Sequence, residues 1–112
     1  WDRWMSAPFG FTSWTHRPLG VQVLSLAYRT GVAWNETAYS NPVFDALLDR
    51  AEATLEVEAR RAIMAEIEAL LQHDSIIIQP YWRAIHTASS GKVKDFHLQP
   101  SFEHHFNQVW LA

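Results

Sequence analysis

Residues 41–55 read NPVFDALLDRAEATL, and this stretch predicts an amphipathic helix. Asn41 offers a side-chain oxygen to the unpaired N–H groups of a helix start, and Pro42 at the first helical position loses no hydrogen bond. Apolar residues then recur with the spacing of one helix face, namely Phe44, Leu47, Leu48, Ala51 and Leu55. We therefore expect a helix over about 42–54.

The next segment continues the helical pattern and predicts a helix over about 57–73. Its apolar stripe consists of Ala59, Ile63, Ile67, Leu70 and Leu71. Glu56 with Arg60, and Glu58 with Arg61, have the spacing of ion pairs on a helix surface. The link between the two helices contains neither Gly nor Pro, so one continuous bent helix is the alternative to the two helices that we favour.

Shorter elements flank this helical pair. Residues 19–28 predict a short helix that is followed by a turn at Thr30-Gly31. The predicted strands are residues 76–82 with Pro80 at an edge or an end, a loose hairpin over 85–96 around Ser90-Gly91, and a closing strand at 109–111. The fold class is therefore α/β, with two or three helices followed by short strands.

Composition excludes several classes of function. The 112 residues, 48% hydrophobic and 19% charged, are typical of one globular domain. A net charge of -3 leaves no cationic field for a phosphate backbone, which argues against nucleic acid as a partner. No apolar run approaches the roughly 20 residues that span a bilayer. The absence of Cys excludes disulfides and thiolate chemistry, and leaves the compartment open.

Two further observations concern the aromatic content of the chain and its first residues. Six Trp, three Tyr and six Phe are more rings than a domain of this size is expected to bury, so some should bind a ligand or cover another surface. The chain begins at Trp1, without Met or a basic segment followed by an apolar one. We expect a segment of a longer protein whose targeting signal lies upstream or has been removed.

Catalytic and metal sites find little support in the sequence. Glu103-His104-His105 is the densest cluster of metal donors, but neighbouring residues on a strand point to opposite faces and no HExxH pattern is present. The nucleophile pattern Gly-x-Ser-x-Gly and phosphate-binding glycine loops are also missing. We predict no catalytic residues, no metal, no cofactor and no enzymatic activity.

A binding segment is a better prediction for residues 13–20, which read SWTHRPLG. Arg17 provides a planar fork of donors that suits a carboxylate, and Trp14 provides an apolar wall for an aliphatic chain, a sugar face or a ring. The alternative is a Trp that packs in the core beside an Arg on the surface.

Residues 34–48 resemble the C-terminal part of the extracellular solute-binding proteins of the peptide/nickel transporter class (family 5). They read WNETAYSNPVFDALL, like the family pattern W-N-x-x-x-Y-S-N-P-x-F-D-x-L-L. The likeness continues in order along the chain, with residues 58–64 (EARRAIM), 74–81 (DSIIIQPY), 93–96 (VKDF) and 109–111 (VWL) similar to successive family motifs.

This resemblance implies the C-terminal segment of a two-lobed periplasmic-binding-protein type II fold. Residues 1–75 would form a helical part of one lobe, and residues 76–112 would form strands that return to the other lobe. The implied function is the substrate-binding component of an ABC import system, which captures a peptide-like or other small solute. The implied location is the periplasm, or a lipid anchor outside the cell, and the implied partner is the ABC permease of the inner membrane.

One departure from the family pattern concerns the ligand. Many peptide-binding members have Trp-x-x-Asp where this chain has Trp14-Thr15-His16-Arg17, so Arg17 reverses the charge that would anchor a peptide amine. An anionic, sugar-like or blocked solute then becomes the expectation. The resemblance supports site roles for Trp14, His16, Arg17, Trp34 and Asn35. The alternative function is a standalone helix-hairpin module that docks a partner protein.

Overall fold

The computed structural model describes residues 3–101 and 103–112. These residues form three helices, α1 (Gly20–Ala27), α2 (Pro42–Ala53) and α3 (Val57–Asp74), and a two-stranded sheet of β1 (Val93–Lys94) and β2 (Trp110–Leu111). A single 3-10 turn, Phe106–Gln108, precedes β2. The chain divides into two compact units, Trp1–Ile78 and Gln79–Ala112. The fold is thus mixed, with helices preceding a small sheet.

The start of α2 is fixed by the predicted cap. The Asn41 Oδ1 atom accepts hydrogen bonds from the backbone N–H of Val43 at 2.9 Å and of Phe44 at 3.4 Å. Pro42 occupies the first turn. The helix ends at Ala53, and the extended backbone of Thr54 follows it. The prediction of a helix over about 42–54 is confirmed.

α2 and α3 are two separate helices, and a side-chain cap marks the start of the second one. Glu56 caps α3, its carboxylate accepting from the backbone N–H of Glu58 at 3.0 Å and of Ala59 at 2.7 Å. These hydrogen bonds lower the pKa of the Glu56 carboxyl. Glu56 therefore serves the helix start, and Arg60 donates instead to the Thr54 carbonyl at 3.2 Å. The predicted Glu58–Arg61 pair is present at 2.9 Å.

The core of the first unit lies among the three helices. Its fully buried members, at 0% exposure, are Ala27, Phe44, Leu48, Ala51 and Ile67. Ile63 and Leu71 extend the buried stripe of α3. Two members of the predicted stripes lie outside the core: Leu55 is 88% exposed, and Ala59 is exposed. Leu55 follows the end of α2, so the helical spacing that predicted its burial no longer applies there.

Polar contacts join the end of α1 to the second half of α2, and the end of α3 to the start of α2. Arg29, just after α1, pairs with Asp49 at 2.7 Å and with Glu52 at 2.9 Å. At the far end of α3, Asp74 accepts from the Tyr39 hydroxyl at 2.6 Å and from the Asn41 amide at 3.0 Å. These bonds link the cap of one helix to the end of another.

The strand predicted at 76–82 and the hairpin predicted over 85–96 are wrong. Ile76 and Ile77 pack against the helical core of the first unit, so their apolar character serves helix packing and not a sheet. Pro80 has no N–H to donate to a strand partner. Val93 does turn back towards Ser90, with its N–H on the Ser90 carbonyl at 2.9 Å, but no strand precedes that turn in the described residues.

The sheet of the second unit instead joins segments distant in sequence. β1 and β2 are antiparallel, with Val93 opposite Leu111 and Lys94 opposite Trp110. The Trp110 indole N–H donates to the Asp95 carboxylate at 2.6 Å. The closing strand predicted at 109–111 is confirmed as Trp110–Leu111. None of the helices in the described residues combines the length and the apolar character that crossing a membrane requires.

Candidate functional site

An open cleft in the first unit has a volume of about 930 Å³. It is formed by the irregular segment before α1 and by the loop after α1. Its apolar wall consists of Trp4, Met5, Phe11, Trp14, Ala33 and Trp34. Thr12, Ser13 and Thr15 add hydroxyl groups, and Arg17 adds a positive charge. We call this feature the aromatic cleft.

Two tryptophans of the aromatic cleft form a tilted pair. The ring centroids of Trp14 and Trp34 lie 6.0 Å apart, with an angle of 46° between the ring planes. Trp14 is half-buried, whereas Trp34 is 49% exposed. The pair therefore offers ring surface to a ligand without requiring a large rearrangement.

Glu36 positions Trp14 through a hydrogen bond, although Glu36 itself does not line the aromatic cleft. Its Oε1 atom accepts from the Trp14 indole N–H at 3.1 Å and from the Tyr28 hydroxyl at 3.4 Å. Burial, and then the Glu36 charge, raise the pKa of Tyr28 to about 12, so its phenol stays protonated and able to donate at neutral pH. The Trp14 ring is consequently fixed by a partner 22 residues away in sequence.

Arg17 is the charged member of the described cleft lining. Its Nη1 atom donates to the Thr15 hydroxyl at 3.1 Å and to the His16 carbonyl at 3.4 Å. Both bonds are local to the segment, and they hold the guanidinium beside the tryptophan. No carboxylate of the described residues lies within ion-pair distance of it.

The side chain of Asn35 makes hydrogen bonds within the loop that leave none of its donors or acceptors for a ligand. Its amide donates to the carbonyls of Arg29 at 3.2 Å and Tyr39 at 2.7 Å. Its Oδ1 accepts from the Thr37 hydroxyl at 3.2 Å and from the Tyr39 N–H at 3.1 Å. An amide side chain has two donors and two lone pairs, and all four are used here.

The structure thus brings together three of the five residues singled out from the sequence. Trp14, Arg17 and Trp34 line the aromatic cleft, whereas His16 and Asn35 are not among its lining residues. His16 is exposed and contributes its backbone carbonyl to Arg17. No family model, curated protein or solved structure matches this chain.

Sequence reasoning missed Trp4, Met5 and Phe11 in the lining, and Glu36 behind it. The only signal for the first three was the high density of rings near the start of the chain. A smaller cavity of about 190 Å³ lies next to the cleft and shares Ala33 and Trp34 with it. Its remaining lining residues are Ser25, Leu26 and Val32.

The other side-chain clusters do not suggest a metal site. No group of three potential metal ligands is present in the described parts of the chain. His104, from the densest donor cluster of the sequence, lies against rings, with its centroid 5.8 Å from that of Phe96 and 5.4 Å from that of Phe106.

Proposed function

We propose that this chain is the C-terminal segment of a solute-binding protein of an ABC import system, and that the aromatic cleft contacts the solute. The observation that carries the proposal is that Trp14 and Arg17, from the segment before α1, line one open cleft together with Trp34, from the loop after α1. Ligand sites are commonly concave, mostly apolar and equipped with a few polar groups, and this cleft has that character. The resemblance of residues 34–48 to family 5 supplies the transport role.

In this proposal the protein binds without covalent chemistry. The solute enters between the ring faces and the Arg17 guanidinium, and the loaded protein delivers it to a membrane permease from the periplasm or from a lipid anchor. The loop that carries Trp34 is held by Asn35, whose amide donates to the carbonyl of Arg29, just after α1, and to that of Tyr39, shortly before α2.

Binding is tested by titrating the chain with a panel of small solutes and following tryptophan fluorescence. We expect a saturable change that Trp14→Ala and Trp34→Ala both weaken. A matched control is Trp82→Ala, which removes a ring that is 89% exposed and not a lining residue of the cleft. Equal responses from all three variants would contradict the proposal.

The transport role is tested by reading the coding sequence around the 112 residues. A secretion signal followed by several hundred further residues of α/β protein, beside genes for a permease and an ATPase, is the expected result. A start codon close to Trp1 would contradict it.

The alternative, a helix-hairpin module that docks a protein, is favoured by exposed apolar residues on the helical pair. Val43, Leu55 and Val57 are 59%, 88% and 53% exposed. Residues 42–74 carry eight acids and three Arg, a net charge of -5, so a basic partner surface would suit them. Leu55→Asp and Val57→Asp should abolish such docking and leave solute binding unchanged.

A further inference from the structure

We infer that the aromatic cleft takes an amphiphilic carboxylate, meaning a solute in which one carboxylate is joined to a flat apolar body. This inference rests on the proposed function, because it names the class of solute for the same cleft. It narrows the range left open by the sequence, which included sugar-like and blocked solutes.

The charge of the cleft selects an anion. Arg17 is the charged residue of the described lining, and both of its hydrogen bonds leave from Nη1. A guanidinium has five N–H donors in a fork, so donors remain for the two oxygens of a carboxylate. A cationic amine in the same place would meet a like charge, and no carboxylate of the described residues lies within ion-pair distance of Arg17 to offset that charge.

The walls of the cleft select an apolar body. The indole N–H of Trp14 is already donated to Glu36, so Trp14 offers a ligand its ring and no hydrogen bond. The hydroxyl groups of Thr12, Ser13 and Thr15 can serve a few polar atoms of a solute, and the Thr15 oxygen already accepts one hydrogen bond, from Arg17. A solute covered with hydroxyl groups has more of them than these three side chains can serve, and the remainder would lie against Met5 and Phe11 without partners, which is unfavourable.

The apolar body also has room beyond the ring pair. Ala33 and Trp34 belong both to the cleft and to the smaller cavity beside it. Leu26 and Val32 extend that apolar surface. A body longer than a single ring can therefore continue across Trp34, whereas a short anion such as acetate would use Arg17 alone.

The test is calorimetric titration of the whole 112-residue chain with four probes: phenylbutyrate, phenylbutylamine, gluconate and acetate. Phenylbutyrate has both groups, and each of the others lacks or reverses one. We expect phenylbutyrate to bind at least about tenfold more tightly than the other three. Arg17→Gln should weaken phenylbutyrate by about 10- to 150-fold, the value of a charge-assisted hydrogen bond, and should not weaken the amine.

The matched control is Arg61→Gln, which removes an exposed guanidinium of α3 that pairs with Glu58 outside the cleft. It should bind phenylbutyrate as the unchanged chain does, and circular dichroism should show that both variants are folded. Tighter binding of gluconate or of the amine, still lost in Trp14→Ala, would overturn the solute class and leave the proposed function standing. Binding that does not depend on Trp14 and Trp34 would overturn both, whereas the absence of binding by all four probes would overturn the solute class alone.

Discussion

The Glu36 carboxylate fixes the orientation of Trp14, because Oε1 accepts the indole N–H at 3.1 Å while also accepting from Tyr28. This bond ties the segment before α1 to the loop after it. The aromatic cleft therefore depends on a residue that does not line it.

Removal of Glu36 should loosen the Trp14–Trp34 pair. Two tilted rings 6.0 Å apart couple their electronic transitions, so the pair should give a paired positive and negative band in circular dichroism. Glu36→Ala should reduce that signal as strongly as Trp14→Phe does. Glu36→Gln keeps an oxygen acceptor and should preserve it. A signal unchanged in Glu36→Ala would show that other contacts hold Trp14.

Truncation of the buried helical stripe should be costly. Leu48→Ala and Ile67→Ala remove side chains at 0% exposure and should each lower the free energy of unfolding by about 2 to 5 kcal/mol. The control Leu55→Ala removes the same atoms as Leu48→Ala at 88% exposure and should cost less than about 0.5 kcal/mol. Urea denaturation measures all three, and similar costs for Leu48 and Leu55 would contradict the packing of α2.

Acid should destabilise the chain through Asp74. Hydrogen bonds from Tyr39, then His73 and Asn41, lower the pKa of the Asp74 carboxyl to about 2. An unfolded Asp has a pKa of about 3.9, so this contribution to stability is complete above about pH 4 and is lost as the pH falls towards 2. Urea denaturation from pH 6 to pH 2 should show that loss.

The variants for the acid prediction follow from the same contacts. Asp74→Asn should flatten the fall in stability between about pH 4 and pH 2, and Tyr39→Phe should reduce it. Glu68→Gln, which alters an exposed carboxyl on α3, should leave the profile unchanged. If the stability of Asp74→Asn fell with pH as steeply as that of the unchanged chain, the acid-induced loss could not be attributed to Asp74.

Asn35 should prove structural when it is replaced. Asn35→Ala leaves the Tyr39 and Arg29 backbone groups without their partner and should destabilise the chain by about 1 to 3 kcal/mol. Asn107→Ala, in the exposed 3-10 turn, is the matched control and should change little. Thermal unfolding compares them. A stable Asn35→Ala variant with impaired solute binding would instead make Asn35 a ligand contact.

Local chemistry in the sequence determined the helices. Asn41 and Pro42 start α2 with groups that lie within three residues of the atoms they serve, and the periodic apolar residues select the buried face. Such interactions form within one turn of chain, so they can be predicted from the order of residues alone. The cluster at Trp14 and Arg17 was visible for the same reason.

Tertiary structure decided what the apolar and polar residues meet across the chain. Ile76 and Ile77 suit a strand, but they pack against the helical core, and the strands of the described residues lie elsewhere in the chain. Val93 found its partner at Leu111, and Trp14 found its partner at Glu36, both through contacts that close long loops. Local propensity cannot specify such contacts, because their stability depends on which surfaces the rest of the fold brings together.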